Sequence, residues 1–263
     1  MIGGVVALFI VIIAALIVAV FVLHVNLMAI PGVSQPQLPV PAVSIAANWA
    51  GYVAYSNLLN PQPAVTAVSG SWTVPSVTNV GAESYAAIWV GIGGEFDQTL
   101  IQVGTEQNFV NGSATYYAWY EMLPSAAVII PSFQVSTGDQ IQASVSLIGS
   151  NNNTWSISIK DLTNGGNFQG NFNYASKQLS AEWIVERPES NGVLTQLANF
   201  GTVTFTDCSA TLSGKTGSIT SFSNSATFMG SEIVNNHSIQ LVTVSGTSVG
   251  GSRFKVSYTA TGH

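Results

Sequence analysis

An all-β sandwich or barrel, preceded by one N-terminal hydrophobic helix, is the fold this sequence predicts. Short runs rich in Val, Ile, Thr and aromatics recur along the chain and are separated by turn residues roughly every 8–12 positions. The 25 glycines and ten prolines suit many turns, and no long amphipathic helix follows the N-terminus. No fixed-period repeat is present, which argues against a propeller or solenoid.

In chain order, Ile2 to Leu23 is apolar and continues past His24 to about Ile30. That is long enough for a transmembrane helix, which needs roughly 20 residues. No Lys or Arg precedes it, and it exceeds the roughly 7–15-residue core of a signal peptide. Residues 1–30 therefore read as a retained membrane anchor in preference to a cleaved signal. Residues 31–46, with Pro31, Pro36, Pro39 and Pro41, read as an extended linker, and 47–263 as one β-domain. Its strand signals are Val68–Val74, Tyr85–Ile92, Thr99–Val103, Ala114–Met122, Phe133–Val135, Gln140–Leu147, Thr154–Asp161, Ala181–Glu186, Gly201–Cys208 and Phe254–Thr259. Turn signals between them include Asn111-Gly112, Thr137-Gly138-Asp139, Asn164-Gly165-Gly166 and Asn191-Gly192.

Composition narrows the function. Twelve acids against six bases give a net charge of −6, and the first basic residue is Lys160. Without a Lys/Arg run there is no electrostatic footprint for nucleic acid. Only 7% of residues are charged. A surface of Ser, Thr, Asn and Gln barely titrates, so acid removes few ion pairs, and an acid-tolerant extracellular protein is expected. Cys208 is the single cysteine, so no intramolecular disulfide forms, and it reads as a buried structural thiol. His24, His237 and His263 lie too far apart to make a metal centre, no EF-hand-like string occurs, and no cofactor is expected. No Gly-x-Ser-x-Gly elbow is present. Gly91-Ile92-Gly93-Gly94 and Val249-Gly250-Gly251-Ser252 lack phosphate-loop context and read as turns or bulges.

Four segments carry the chemistry: Trp89–Gly93, Gln102–Glu106, Tyr117–Glu121 and Glu182–Glu186. In a strand, residues i, i+2 and i+4 share a face. If the four faces line one sheet, they gather Trp89, Gln102, Glu106, Trp119, Glu121, Glu182 and Glu186. Four of twelve acids would then sit among aromatic rings, where burial raises a carboxyl's pKa into a usable range. Tyr116, Tyr117, Trp119 and Tyr120 surround Glu121 in the same way. Aromatic grooves bind sugars as well as peptides, so this pattern alone leaves the ligand open.

The strings Asn48-Trp49-Ala50-Gly51, Gly70-Ser71-Trp72-Thr73-Val74-Pro75, Trp89-Val90-Gly91-Ile92-Gly93-Gly94, Leu100-Ile101-Gln102-Val103-Gly104, Ala118-Trp119-Tyr120-Glu121, Ala181-Glu182-Trp183-Ile184-Val185-Glu186 and Asn199-Phe200-Gly201-Thr202-Val203 occur in that order. Through them the chain resembles the eqolisins, the glutamic peptidase family G1. The resemblance implies two large antiparallel sheets in a lectin-like jelly roll, whose concave face binds an extended peptide. It implies a Gln–Glu dyad at Gln102 and Glu186, with Glu182 as the fallback glutamate. Trp89, Trp119 and Glu121 match residues around that dyad. Gly93 and Tyr117 stand where the family carries acids, and Glu106 where it carries an aspartate.

The chemistry is coherent on its own terms. Amide hydrolysis in acid needs water activation and protonation of the leaving nitrogen. A carboxyl near the working pH serves as base and then acid, whereas imidazole would be fully protonated. A glutamine amide supplies an oxyanion donor that does not titrate. The leading expectation is an endopeptidase acting in acid on unfolded protein or peptides, monomeric, and anchored outside the cell or secreted. The alternatives are a non-catalytic lectin-like module for glycans or peptides, and a surface-layer protein whose low charge serves durability.

Overall fold

The computed structural model describes residues 42–149, 153–229, 232–234 and 237–259. The expected N-terminal helix and anchor, and the linker up to residue 41, lie outside them. Among the described residues no helix is long and apolar enough to cross a membrane.

The chain forms β1 (Ala42–Ala46), β2 (Trp49–Tyr55), β3 (Val65–Thr73), β4 (Ala87–Gly93), β5 (Leu100–Val110), β6 (Ser113–Met122), β7 (Val128–Ile129), β8 (Gln140–Gly149), β9 (Thr154–Asp161) and β10 (Asn167–Asn173). It continues with β11 (Ser180–Glu186), β12 (Glu189–Ser190), β13 (Val193–Leu194), β14 (Thr202–Leu212), β15 (Lys215–Gly217), β16 (Ser223–Met229), β17 (Glu232–Val234), β18 (His237–Ile239), β19 (Val242–Val244) and β20 (Phe254–Tyr258). One sheet runs β1-β16-β2-β11-β4-β5-β6-β7 and the other β10-β9-β8-β3-β14-β20-β19. Neighbours are antiparallel except β1 and β16, which are parallel. The linker assigned to residues 31–46 therefore ends in a sheet strand.

Burial separates the two sheets. In the second sheet β8, β9 and β14 alternate buried and more exposed residues, as expected when one face meets the core and the other meets solvent. In the first sheet β2, β4 and β11 are buried at every position, so both faces are covered. The inner face packs Tyr52, Ile88, Val90, Val103 and Trp183 against Trp72, Val145, Ile157, Phe205 and Phe254 of the second sheet. Two indoles pin the layers: Trp72 Nε1 donates to Thr105 Oγ1 at 3.0 Å, and Trp183 Nε1 to the Ser69 carbonyl at 2.7 Å. Cys208 lies buried in β14, and burial pushes its thiol up.

The expected strand at Phe133–Val135 is a turn and loop instead. Pro131 cannot donate to a ladder, and the Phe133 N–H turns back to the Ile130 carbonyl at 3.0 Å. Gly91 and Gly93, expected in a turn or bulge, lie inside β4, the chain turning only at its end. Gly104 marks the close approach of β4 and β5. A Cβ there would run into the Ile88 carbonyl and the Trp89 side chain. Gly104→Ala is expected to destabilise the fold by about 1–3 kcal/mol, the range for overpacking, as a lower midpoint in denaturant titration.

Candidate active site

The outer face of the first sheet carries all seven residues expected to share a side. Antiparallel register arranges them in rows across the strands. One row reads Val53, Glu182, Gly91, Gln102, Glu121; the next but one reads Trp49, Glu186, Ala87, Glu106, Tyr117. Between them lie Gly51, Ile184, Trp89, Gly104 and Trp119. A second apolar cluster forms on this face from Trp49, Val53, Tyr55, Trp89, Leu100, Trp119 and Ile184. Phe96 of the β4–β5 loop packs on Tyr55 at 5.3 Å between ring centroids, and Leu123, after β6, joins the cluster. The face is thus enclosed: Gln102, Glu121, Glu182 and Glu186 are 0% exposed and Glu106 is 2% exposed.

Hydrogen bonds fix the polar groups. Glu186 accepts from Asn48 Nδ2 at 2.9 Å and from Trp89 Nε1 at 2.8 Å. Gln102 Nε2 donates to Glu121 Oε2 at 2.7 Å. That bond sets the amide's orientation and leaves Gln102 Oε1 buried without a partner. Trp119 Nε1 is likewise buried and unpaired. Such groups are few in native folds, and their concentration on one face marks a site equipped for a ligand's polar groups.

Burial dominates the electrostatics. It holds the Glu186 carboxyl up to about 8, against the N–H donors of Trp89, Trp49 and Asn48, with Glu189 adding to the rise. Glu106 is held well above the usual range by burial, then by Glu186 and Glu121, with Asn108 opposing. Glu182 is also held well above it by burial, against the Ser180 hydroxyl and the Gly93 N–H, with Glu95 and Asp97 adding to the rise. Burial lifts Glu95, in the β4–β5 loop, to about 7. Tyr117, beside Glu106 in the row, is pushed up by burial and by that carboxyl.

Gln102 and Glu186 share the face with no hydrogen bond between them. They sit two strands apart and four residues along, about 16 Å between Cα atoms at ordinary sheet spacings, with Trp89 on the diagonal. Glu182 shares the row of Gln102 across Gly91, about 10 Å away by the same spacing. Sequence reasoning missed Asn48, whose amide anchors Glu186, and Glu95. The Asn48-Trp49 string beside a strand start was a signal for the first; Glu95 offered none.

An amide oriented by one carboxyl, near further carboxyls held neutral into mild acid, is the equipment of a hydrolase using carboxyl acid–base chemistry. The chain matches the Peptidase A4 family over residues 47–258. It belongs to that family, the eqolisins, and is a peptidase of the glutamic type. It is 32% identical to Aspergillopepsin-2 of Aspergillus niger over 220 residues, covering 73% of this chain and 75% of that protein. It is 29% identical to Scytalidopepsin B of Scytalidium lignicola over 225 residues, 81% and 80% of the two chains. The fold superposes on scytalido-glutamic peptidase bound to a transition state analog inhibitor with a TM-score of 0.66 and 28% identity, covering 81% of this chain and 98% of that one. For the aspergilloglutamic peptidase of Aspergillus niger the TM-score is 0.55, with 29% identity and 67% and 99% coverage.

Proposed function

We propose that the protein cleaves unfolded proteins or peptides in acid, with Glu186 as base and then acid and Gln102 as the group that orients water and holds the oxyanion. The observation that carries this reading is the Gln102–Glu121 bond. With one N–H committed to Glu121, the amide keeps Oε1 for an attacking water and its second N–H for the developing oxyanion. Trp119 Nε1 supplies a further donor for a substrate carbonyl. Enclosed, Glu186 holds its proton throughout the acid range. Admitting water and substrate removes the burial but leaves the N–H donors, which favour the ionised form. Formation of the base is thereby coupled to opening of the face.

Gln102→Ala is expected to lower kcat by about 10²–10³, the cost of losing an oxyanion donor, without moving the pH profile. Turnover of an unfolded protein between pH 2 and 7 checks this, and an unchanged kcat in the folded variant would overturn the role. The sheet order is compatible with a lectin-like jelly roll. Low charge and the apolar stretch 2–30 support a protein working outside the cell, either tethered by that stretch or released from it. Fractionation of the full chain with and without detergent separates those two placements.

A further inference from the structure

In the second sheet, the loop before β8 and the turn after β9 each close around an aspartate. Asp139 Oδ2 accepts the Ser136 N–H at 2.7 Å. The Asp139 carbonyl accepts the Val74 N–H, and the Gly138 N–H bonds back to the Val74 carbonyl, each at 2.8 Å. Asp161 Oδ1 accepts the N–H groups of Thr163 at 2.8 Å and Asn164 at 3.3 Å. Register places Asp161 opposite Ile141. Asp139, two residues from Ile141 along the same strand direction, becomes its diagonal neighbour. The two carboxyls lie within hydrogen-bonding reach of each other, and the residues are 7% and 1% exposed. Asp161 Oδ2 is buried and receives no N–H or O–H donor, so only a proton shared with Asp139 would satisfy it. Two carboxylates repel, whereas a carboxyl and a carboxylate share a proton in a strong bond.

We infer that Asp139 and Asp161 form an acid-closed latch, which ties the segment 130–139 to the second sheet and releases it when the shared proton is lost. The segment runs directly on from β7, which pairs with β6 at Trp119 and Ile129. Its Ile130 N–H donates to the Ala118 carbonyl at 2.9 Å, and Ile130 and Phe133 are both buried. Release therefore loosens the wall beside Trp119 on the site's face. The segments packed around the pair are 65–79, 131–138, 140–149, 162–166 and 167–173, and none carries an ionisable side chain. On β9 itself the other charge is Lys160, which is exposed and, as the neighbour of Asp161, points to the opposite face.

The direction is set by Asp139, whose carboxyl is held above the ordinary aspartate range by burial first and also by Asp161, with the Ser136 N–H opposing. A raised value in the fold gives stability at low pH that is lost as pH rises through it. Segment-resolved hydrogen exchange, corrected for intrinsic rates, tests this on the full chain, on Asp161→Asn and on Asp139→Asn. In the wild type, amides of 130–139 are expected to lose protection tenfold or more between pH 4 and 7, while β9 and β14 hold theirs. Each Asn variant replaces the proton with an amide donor that does not titrate, so protection should persist to pH 7. Equal loss in the wild type and in whichever variants fold, or a flat wild-type profile, would overturn the latch. Activity is not the readout, so this outcome is separable from that of the catalytic assignments.

Discussion

Glu186→Gln is expected to lower kcat by about 10²–10⁴, the range for losing a positioned acid–base group, while Glu182→Gln retains turnover within about tenfold. Glutamine keeps the bulk of Glu186, but its single oxygen accepts from Asn48 or from Trp89 and not from both, and it cannot take a proton from water or return one to the leaving nitrogen. Glu182 supplies the control. It is as deeply buried and shares the row of Gln102, yet only the Ser180 hydroxyl and the Gly93 N–H oppose its burial, where Glu186 has two indoles and an amide. Turnover of an unfolded substrate by variants with native circular dichroism decides between them. The reverse ranking would move the base to Glu182.

Stability is expected to be greatest in acid and to fall as the solution becomes alkaline. Glu106, Glu182 and Glu186 all hold their protons more tightly in the fold than at their ordinary value of 4.5. Above about pH 4.5 the unfolded chain releases these protons while the folded chain keeps them, so stability declines until the folded values are passed, near 8 for Glu186. Each such group costs up to about 1.4 kcal/mol per pH unit across that window. The denaturant midpoint should therefore drop steadily from pH 4 to 8, and Glu186→Gln should flatten part of the slope. Superimposable unfolding curves at pH 4 and 8 would show that the buried carboxyls are not neutral in the native state. This adds a second source of acid tolerance to the sparse surface charge.

The membership of the site was legible because strand periodicity is local. Trp89, Gln102, Glu106, Trp119, Glu121, Glu182 and Glu186 each follow from alternation within one segment. Their rows were not legible. Which glutamate of β11 shares the row of Gln102 depends on β11 inserting between β2 and β4, a pairing of segments about ninety or more positions apart in one case and more than a hundred in the other. Enclosure was hidden for a related reason: the covering groups, Phe96 and Leu123, come from loops whose sequences show no periodicity. The strand β10 escaped notice because its Asn and Gln alternate with Phe and Gly at a sheet edge, a composition that reads as a turn. Phe133–Val135 erred the other way, since three apolar-rich residues satisfied the strand signal while Pro131 and the reversal at Ile130 ended the pairing.

The parallel pairing of β1 with β16 bears on how the domain can be prepared. Residues 42–46 cover the outer backbone edge of Ser225–Met229, and β16 is otherwise the last strand on that side. A domain trimmed to residue 47, where the family match begins, would leave that row of N–H and C=O groups open as a template for another chain. Self-association of such a trimmed protein would report the missing strand rather than a native oligomer, and beginning the chain at or before Ala42 keeps the edge capped.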